Sequence, residues 1–337
     1  MIETIAENIY RLTIPMPKNP LKYLNAYLLH SSEGRHCLID TGLNRPDCHE
    51  ALMQGLKDLN VAIARTDVLL THMHSDHSGL APMLYAQGAR IWMSSFDAPV
   101  LTQSGHWSDV LASARINGLP DEEVHRAMDA HPGYKYRPQG EVDIQLLKDE
   151  DIFRRAGFNL HCLITPGHTK GHLCFYEPKH RMLFAGDMLL QEITPNISQW
   201  LPGKNPLQDY MQSLNRLETL EVDLVLPGHR RLFTDHRKRI QELREHHAAR
   251  LEEVSRIVQA NPGHAMHIAS HMHWDLDTPD WERFPLAQKW FATGEALAHL
   301  SFLQAQGRIR CKDNGRHHIW VGLEDQAKSS AALHQPR

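Results

Sequence analysis

The sequence predicts an α/β sandwich with its helices on the outside. Residues 8–14 alternate apolar and polar side chains, as a half-buried strand does. Two further strand-like runs, at residues 23–29 and 36–39, precede a segment at residues 46–59 whose leucines recur near helical spacing. A short buried strand follows at residues 67–70. The order β-β-β-α-β, with helix and strand patterns alternating again afterwards, is typical of sheets covered by helices.

Later segments extend this alternation and add two appendages to a main domain of residues 1–235. Strands are predicted at residues 90–93, 160–164, 172–176 and 181–185 and near 224–229, and an amphipathic helix at residues 207–217. Residues 95–145 form an insertion with helices near 107–116 and 120–130. Residues 236–322 are predicted as a C-terminal domain, and residues 323–337, which are polar and small, as a flexible tail.

Composition places the chain among ordinary soluble globular proteins. It has 337 residues, of which 42% are hydrophobic and 23% charged. The formal net charge of −4 gives no overall attraction to nucleic acid or to an anionic membrane. Five scattered cysteines without a CxxC spacing are expected to be reduced core thiols. With neither a signal peptide nor a long apolar segment visible, we expect a cytoplasmic protein.

One loop concentrates metal-ligating side chains. The segment Thr71–Gly79 contains His72, His74, Asp76 and His77 between a predicted strand and a predicted helix. Imidazole and carboxylate suit zinc, and they also suit iron or manganese. The alternative is a histidine-rich surface loop, since the chain has 25 histidines. The pattern His-x-His-x-Asp-His should nevertheless arise by chance in only about one such chain in a hundred.

Further segments give this loop a family context. They are Leu38–Gly42 with Asp40, Thr165–Thr169 with His168, Phe184–Asp187, and Leu224–His229. In this order, the segments resemble the metallo-β-lactamase superfamily of binuclear metal hydrolases over roughly residues 5 to 235. The resemblance implies a four-layer αββα sandwich, here with a helical insertion and a C-terminal helical or winged-helix domain.

The resemblance also implies a ligand set for two divalent metal ions, with zinc favoured. It assigns the first metal to His72, His74 and His168, and the second to Asp76, His77 and His229. It makes Asp187 the bridge between the metals and Asp40 a carboxylate that orients the loop. His172 lies near His168 in sequence, but the ligand set is complete without it, so we expect a histidine that binds no metal.

The implied chemistry is hydrolysis by a metal-bridging hydroxide, with Asp76 and Asp187 holding the water and relaying its proton. The favoured substrate is a small molecule with an ester-like acyl bond, a thioester before a lactone. The alternative from another class is a winged-helix nuclease or phosphodiesterase that acts on RNA or DNA. A third class, a metal-binding regulator without turnover, fits a complete ligand set less well.

Two regions bear on substrate choice. The insertion is placed to act as a lid, with Trp107, Tyr134 and Tyr136 touching substrate, although these aromatics could equally pack the insertion on the core. Asn196 and Trp200 are expected at the mouth of the pocket.

The C-terminal helices and the hairpin around Asn314-Gly315 are typical of a winged helix. The low positive charge favours a docking module or homodimer interface over nucleic-acid contact through Arg308, Arg310, Lys312 and Arg316. A second metal site among the histidines of residues 264–273 is disfavoured, because no Asp-His half completes it.

Overall fold

The computed structural model describes residues 1–102, 106–201, 203–275 and 280–323. The chain divides into two compact units. Among the described residues, unit 1 contains those within 1–106, 128–197 and 206–244, and unit 2 contains those within 107–127 and 198–205 and from residue 245 to residue 323. The predicted insertion of residues 95–145 is therefore shared between the two units, and unit 1 continues past residue 235 to Arg244.

The strands, in chain order, are β1 (Ile2–Ala6), β2 (Ile9–Pro15), β3 (Tyr23–Leu29), β4 (His36–Ile39), β5 (Thr66–Leu69), β6 (Arg90–Ser94), β7 (Ile144–Leu147), β8 (Ile152–Arg155), β9 (Phe158–Ile164), β10 (Leu173–Glu177), β11 (Met182–Gly186), β12 (Leu224–Pro227), β13 (Ile309–Asp313) and β14 (His318–Gly322). The helices are α1 (Pro46–Asp58), α2 (Ser75–Ser78), α3 (Ala81–Ala86), α4 (Ala98–Thr102), α5 (His106–Ile116), α6 (Asp121–Ala130), α7 (Pro132–Lys135), α8 (Pro206–Glu218), α9 (His236–Ala260), α10 (Ala265–His271) and α11 (Leu286–Ala305).

Unit 1 is built on two sheets. The seven-stranded sheet has the order β1-β2-β3-β4-β5-β6-β7, and the five-stranded sheet has the order β12-β11-β10-β9-β8. Pairing is parallel from β4 to β7 and between β11 and β12, and antiparallel elsewhere. The loops that carry Asp40, His72, Asp187 and His229 begin at the ends of parallel strands, whereas the loop with His168 follows the antiparallel strand β9.

Alternation along β3 shows how the layers form. Leu24, Ala26 and Leu28 face a core cluster shared with Leu52 of α1 and with α3. Tyr27 and Leu29 point the other way, into a second cluster that contains side chains of the five-stranded sheet. The Tyr27 ring meets the Phe184 ring edge-on at 5.4 Å between centroids. The predicted α/β sandwich is thus confirmed, because one strand with period two serves both cores.

Unit 2 contains helices followed by a β-hairpin, as predicted. α10 packs on α11, and β13 pairs with β14 in antiparallel register. The Trp200 ring lies 4.4 Å from the Trp290 ring of α11 between centroids. Gly294 allows this approach, since a Cβ there would lie 2.8 Å from Trp200 Nε1. Among the described residues no helix combines the length and apolar character that a membrane-spanning segment needs.

Several elements differ from the prediction. The sequence does not predict the edge strands β1 and β8, because no side chain of β1 and only Phe153 of β8 is buried, so their alternation is weak. The last two residues of the predicted insertion belong to β7, which extends the sheet beside β6. The sequence predicts the last helix over residues 290–306, and α11 begins four residues earlier, at Leu286. The cysteines are free thiols as predicted, and only Cys311 is partly exposed.

Candidate metal centre

The predicted ligands meet at one edge of unit 1. Asp40 follows β4 and the loop with His72 follows β5, a parallel neighbour in the seven-stranded sheet. Asp187 follows β11 and His229 follows β12, a parallel pair in the five-stranded sheet. Since the carboxyl ends of parallel neighbours share an edge, residues far apart in sequence are brought together there.

The side chains form three overlapping groups, in each of which the ligand atoms lie within 4.8 Å of one another: His72, His74 and His168; Asp76, His77 and His229; and His72, His77 and Asp187. In the first group, His72 Nε2 lies 3.0 Å from His74 Nδ1. Within the described residues these are the only groups that could hold a metal. The structure therefore brings together all seven predicted ligands.

Asp187 lies between the first two groups. Its Oδ2 is 3.6 Å from His168 Nε2 and 3.5 Å from His229 Nε2. Its Oδ1 is 3.4 Å from His77 Nε2. One carboxylate thus reaches a histidine of the first group and two of the second, the position required of a bridge between two cations.

Hydrogen bonds fix the tautomers of three histidines. The Nδ1 atoms of His77, His168 and His229 lie 2.7 Å from Asp40 Oδ2, 2.8 Å from the Asn196 carbonyl and 2.8 Å from the Tyr23 carbonyl, respectively. These oxygens only accept, so each Nδ1 carries a proton, and when a ring is neutral its Nε2 has the lone pair that a cation would need.

Unpaired buried atoms provide a direct test of whether a cation fits. The Nε2 atoms of His77, His168 and His229 and Oδ1 of Asp187 are buried without a hydrogen-bond partner in the described part of the chain. Buried polar atoms normally have partners, and exceptions require an explanation. All four atoms point into one cluster of imidazoles and carboxylates, so the residues present fit divalent cations.

The histidine pKa values differ between the first and the second ligand group. Burial lowers the pKa of His72 well below its usual value and that of His74 to about 3, so both rings are neutral. Burial also acts on His229, but Asp187 and Asp76 outweigh it and raise its pKa to about 10. The carboxylates thus favour positive charge at the second group, where a cation would supply it.

Asp40 forms hydrogen bonds that fix the loop carrying His72, His74, Asp76 and His77. Its carboxylate accepts hydrogen bonds from the Thr71 backbone N–H at 2.8 Å, from the Thr71 hydroxyl at 2.9 Å and from His77 Nδ1 at 2.7 Å. Asp40 itself has a left-handed backbone, with φ of 61°. Asp40 therefore contacts the loop that it was predicted to orient, through the His77 ring and the backbone of Thr71 after the end of β5.

Sequence reasoning missed Asp97, which ties two ligand loops together. Its Oδ2 accepts hydrogen bonds from Met73 N at 3.1 Å and Thr169 Oγ1 at 2.6 Å, and its Oδ1 accepts from Gly171 N at 2.7 Å. Burial raises the pKa of Asp97 while these three donors oppose the rise. Gly171 is required here, since a Cβ would lie 2.6 Å from Asp97 Oδ1. The only signal in the sequence was an acid shortly after a predicted strand.

His172 is in none of the three ligand groups, and its ring contacts the backbone of Asp187. Its Nε2 accepts the backbone N–H of Asp187 at 3.1 Å, so Nδ1 carries the proton and lies 2.9 Å from Thr165 Oγ1. Gly186 makes room for this contact, because a Cβ there would lie 2.6 Å from His172 Nε2. A buried neutral histidine thus fixes the backbone of Asp187, the carboxylate predicted to bridge two metals.

The predicted pocket residues fall into different surroundings. The Asn196 carbonyl contacts the His168 ring, as described above. Tyr136 packs against the first core cluster and its hydroxyl accepts a hydrogen bond from Arg45 at 3.3 Å. The Tyr134 ring is covered by the Arg137 guanidinium at 4.3 Å. Trp107 and Trp200 belong to unit 2. Contact with a substrate stays a prediction for all five.

The remaining histidine cluster has a structural role. Residues 264–271 form the start and body of α10. The His264 side chain accepts the backbone N–H of His267 at 3.1 Å and so caps this helix. This local role accounts for His264 without a metal.

Comparisons with known proteins place these loops in a wider context. A sequence model described as the Metallo-beta-lactamase superfamily matches residues 21–229. A probable metallo-hydrolase of Bacillus subtilis (strain 168) is 24% identical over 286 residues, which are 81% of this chain and 85% of that protein. An acyl-coenzyme A thioesterase of Bos taurus is 30% identical over 222 residues, which are 62% of this chain and 74% of that protein.

A solved structure agrees over nearly the whole length. A metallo-beta-lactamase family protein from Thermus thermophilus is 29% identical and aligns with a TM-score of 0.81, covering 95% of this chain and 100% of that one. The family match spans every loop that converges on the cluster around Asp187.

Proposed function

The chain belongs to the metallo-beta-lactamase superfamily of hydrolases, and we propose that its metal centre cleaves a thioester bond of a small molecule. The observation that carries the proposal is the position of Asp187, whose two oxygens lie 3.4–3.6 Å from the Nε2 atoms of His77, His168 and His229. This arrangement suits two cations that share one carboxylate and one water.

The chain's own residues supply binding, orientation and proton transfer. Two divalent ions, with zinc favoured, would lower the pKa of a shared water toward neutrality and polarise an acyl carbonyl. His72, His74 and His168 would hold one ion, and Asp76, His77 and His229 the other. The carboxylates of Asp187 and Asp76 orient the water and accept its proton. No serine or cysteine nucleophile is needed for this chemistry.

The name of one relative supports a thioester as the substrate class, and the charge distribution argues against a phosphodiester. One relative, 30% identical over 62% of this chain, bears the name acyl-coenzyme A thioesterase. The same hydrolysis would open a lactone, so a thioester is favoured over a lactone as the substrate but a lactone is also compatible with the site. Phosphodiester cleavage ranks lower, because Arg308 of the C-terminal hairpin is paired with Glu252 at 2.9 Å and the net charge is −4.

The test is a substrate panel with metal-loaded protein. We expect turnover of acyl-coenzyme A thioesters above that of lactones, and little turnover of a phosphodiester such as bis(p-nitrophenyl) phosphate. Asp187→Asn should abolish thioester turnover, and Asp47→Asn, a change on α1, should leave it intact. Preferred turnover of the phosphodiester, together with salt-sensitive RNA or DNA affinity that is lost when Arg310 and Lys312 are changed to Gln, would overturn the thioester proposal.

A further inference from the structure

A pocket lined by arginines lies in unit 1, away from the metal centre. It has a volume of about 510 Å³, and its lining includes Arg35, Arg90, Arg154 and Arg155. Arg90 begins β6 and Arg35 precedes β4, whereas the metal loops leave the carboxyl ends of β4 and β5. Because β4, β5 and β6 run parallel, the pocket lies at the opposite edge of the sheet from the metals.

Asp67 organises three of these arginines. The Asp67 carboxylate is fully buried. It accepts two hydrogen bonds from Arg90, at 2.5 and 2.8 Å, one from Arg155 at 2.6 Å and one from Arg35 at 3.1 Å. Burial raises the pKa of Asp67, but Arg90, Arg155 and Arg35 outweigh it and the net shift is downward. One negative charge therefore faces three positive charges.

The surplus charge is not compensated by the pocket lining. The other lining residues are Gly34, Arg154, Ala156, Gly157, Phe158 and Asn159. None of them is acidic, and Arg154 adds a fourth guanidinium. Within the described residues, Arg154 makes no side-chain hydrogen bond or ion pair. Four guanidiniums against one carboxylate leave a formal excess of three positive charges around the pocket.

Donors remain available in fixed positions. Arg90 uses Nε and Nη2 on Asp67, and Arg155 uses Nε on Asp67 and Nη1 on the Arg154 carbonyl. Arg90 Nη1 and Arg155 Nη2 have no hydrogen bond to other described residues. The turn after Arg155 is tight, with positive φ at both Ala156 (52°) and Gly157 (81°), as in a two-residue hairpin loop. Two guanidinium edges are thus held in place before any ligand arrives.

A purely structural role explains only part of this arrangement. Asp67 is on the seven-stranded sheet and Arg155 on the five-stranded sheet, so their contact joins the two sheets. One arginine opposite the carboxylate would make a neutral link. The additional guanidiniums and the open volume next to them are what a fork-shaped donor set for an oxyanion requires.

We propose that this arginine pocket binds a small phosphate-bearing anion through Arg90, Arg154 and Arg155. The proposal is independent of the function assigned to the metal centre. The volume of about 510 Å³ would accommodate either free pyrophosphate or the diphosphate of a nucleotide. The chemistry shared by both is a multiply charged phosphate that accepts paired N–H groups.

The test is calorimetric titration of the full metal-loaded chain with pyrophosphate and, separately, with ADP. We expect saturable binding of at least one, and tighter binding of ADP would assign the site to a phosphate ester. Arg154→Gln should weaken binding by about tenfold, since it removes a charged donor, and Arg154→Lys should recover part of the loss. Arg154 does not contact Asp67, so both variants should fold. Lys148→Gln, directly after β7 and outside the pocket lining, removes the same charge and should bind like the wild type.

Several outcomes would overturn the proposal. One is that neither pyrophosphate nor ADP shows saturable binding below millimolar concentration. Another is that Arg154→Gln binds with the same affinity as the wild type. Binding that survives in Arg154→Gln and disappears in His168→Ala would place the anion at the metal centre instead. A failed thioesterase assay would leave this titration unaffected, so the two proposals can fail separately.

Discussion

Asp97 offers the sharpest test of how the metal loops are held. Its carboxylate accepts from Met73 N, Thr169 Oγ1 and Gly171 N, and these donors flank three of the predicted ligands. Asp97→Ala leaves three buried donors unpaired at about 1–3 kcal/mol each, so the free energy of unfolding should fall by about 4 kcal/mol. Asp97→Asn can keep the two bonds to Oδ2 but sets an amide N–H₂ against Gly171 N–H, which should cost about 2 kcal/mol.

The functional effect is expected on metal affinity. Changes to groups that orient metal ligands typically weaken metal binding by about 10- to 100-fold. We therefore expect the dissociation constant for zinc, measured by competition with a chelating dye at a temperature where each variant is folded, to rise in the order wild type, Asp97→Asn, Asp97→Ala. Excess zinc should restore turnover in Asp97→Asn, because the ligands themselves remain. Asp47→Asn, an acid of α1 that contacts no ligand loop, is the control.

One result would refute this reasoning. If both Asp97 variants lose stability by the stated amounts but bind zinc and turn over substrate like the wild type, Asp97 supports the fold and does not position the metal loops.

Three further predictions concern the ligands and unit 2. His74→Ala should lose nearly all turnover, because a three-histidine site does not keep its geometry with two; full turnover with full metal content would contradict the ligand assignment. Asp187→Asn should stay folded by circular dichroism and lose turnover steeply, since an amide is a poor bridge between cations; unchanged activity with two metals bound would exclude the bridging role. Burial lowers the pKa of His299 in α11 to about 4. Its contribution to stability is therefore present above pH 6.5 and lost as the pH falls toward 4, by about 2 kcal/mol at pH 5. Other buried histidines with lowered pKa values contribute to acid sensitivity in both proteins. Between pH 7.5 and 5, urea unfolding should therefore show a loss about 2 kcal/mol larger in the wild type than in His299→Gln, and an equal loss in both would contradict it.

The site residues that could be predicted from the sequence lie close together in one segment or directly after a recognisable strand. His72, His74, Asp76 and His77 lie within six residues. Asp187 follows directly on the end of a recognisable strand. A ligand that follows a buried strand can be placed at a sheet edge from the pattern alone, because strand ends fix where loops begin.

The parts that escaped prediction depend on which loops meet in three dimensions. Asp97 joins Met73, 24 residues earlier, to Thr169, 72 residues later. Asp67 and Arg155 are 88 residues apart and lie in different sheets. No periodicity relates such positions, and each residue alone is an ordinary acid or arginine near the end of a strand. His172 could be excluded as a ligand from the sequence, but its contact with the Asp187 backbone required the fold.

Metal stoichiometry tests the central claim most directly, which is that seven side chains hold two divalent ions on either side of Asp187. The purified chain would be equilibrated with zinc, freed of excess metal and analysed by plasma mass spectrometry, beside His168→Ala and His229→Ala. We predict two ions per wild-type chain and a clear loss in each variant, with His168→Ala emptying the first position and His229→Ala the second. A wild-type chain that retains no zinc, iron or manganese, or variants that both retain two ions, would contradict the account.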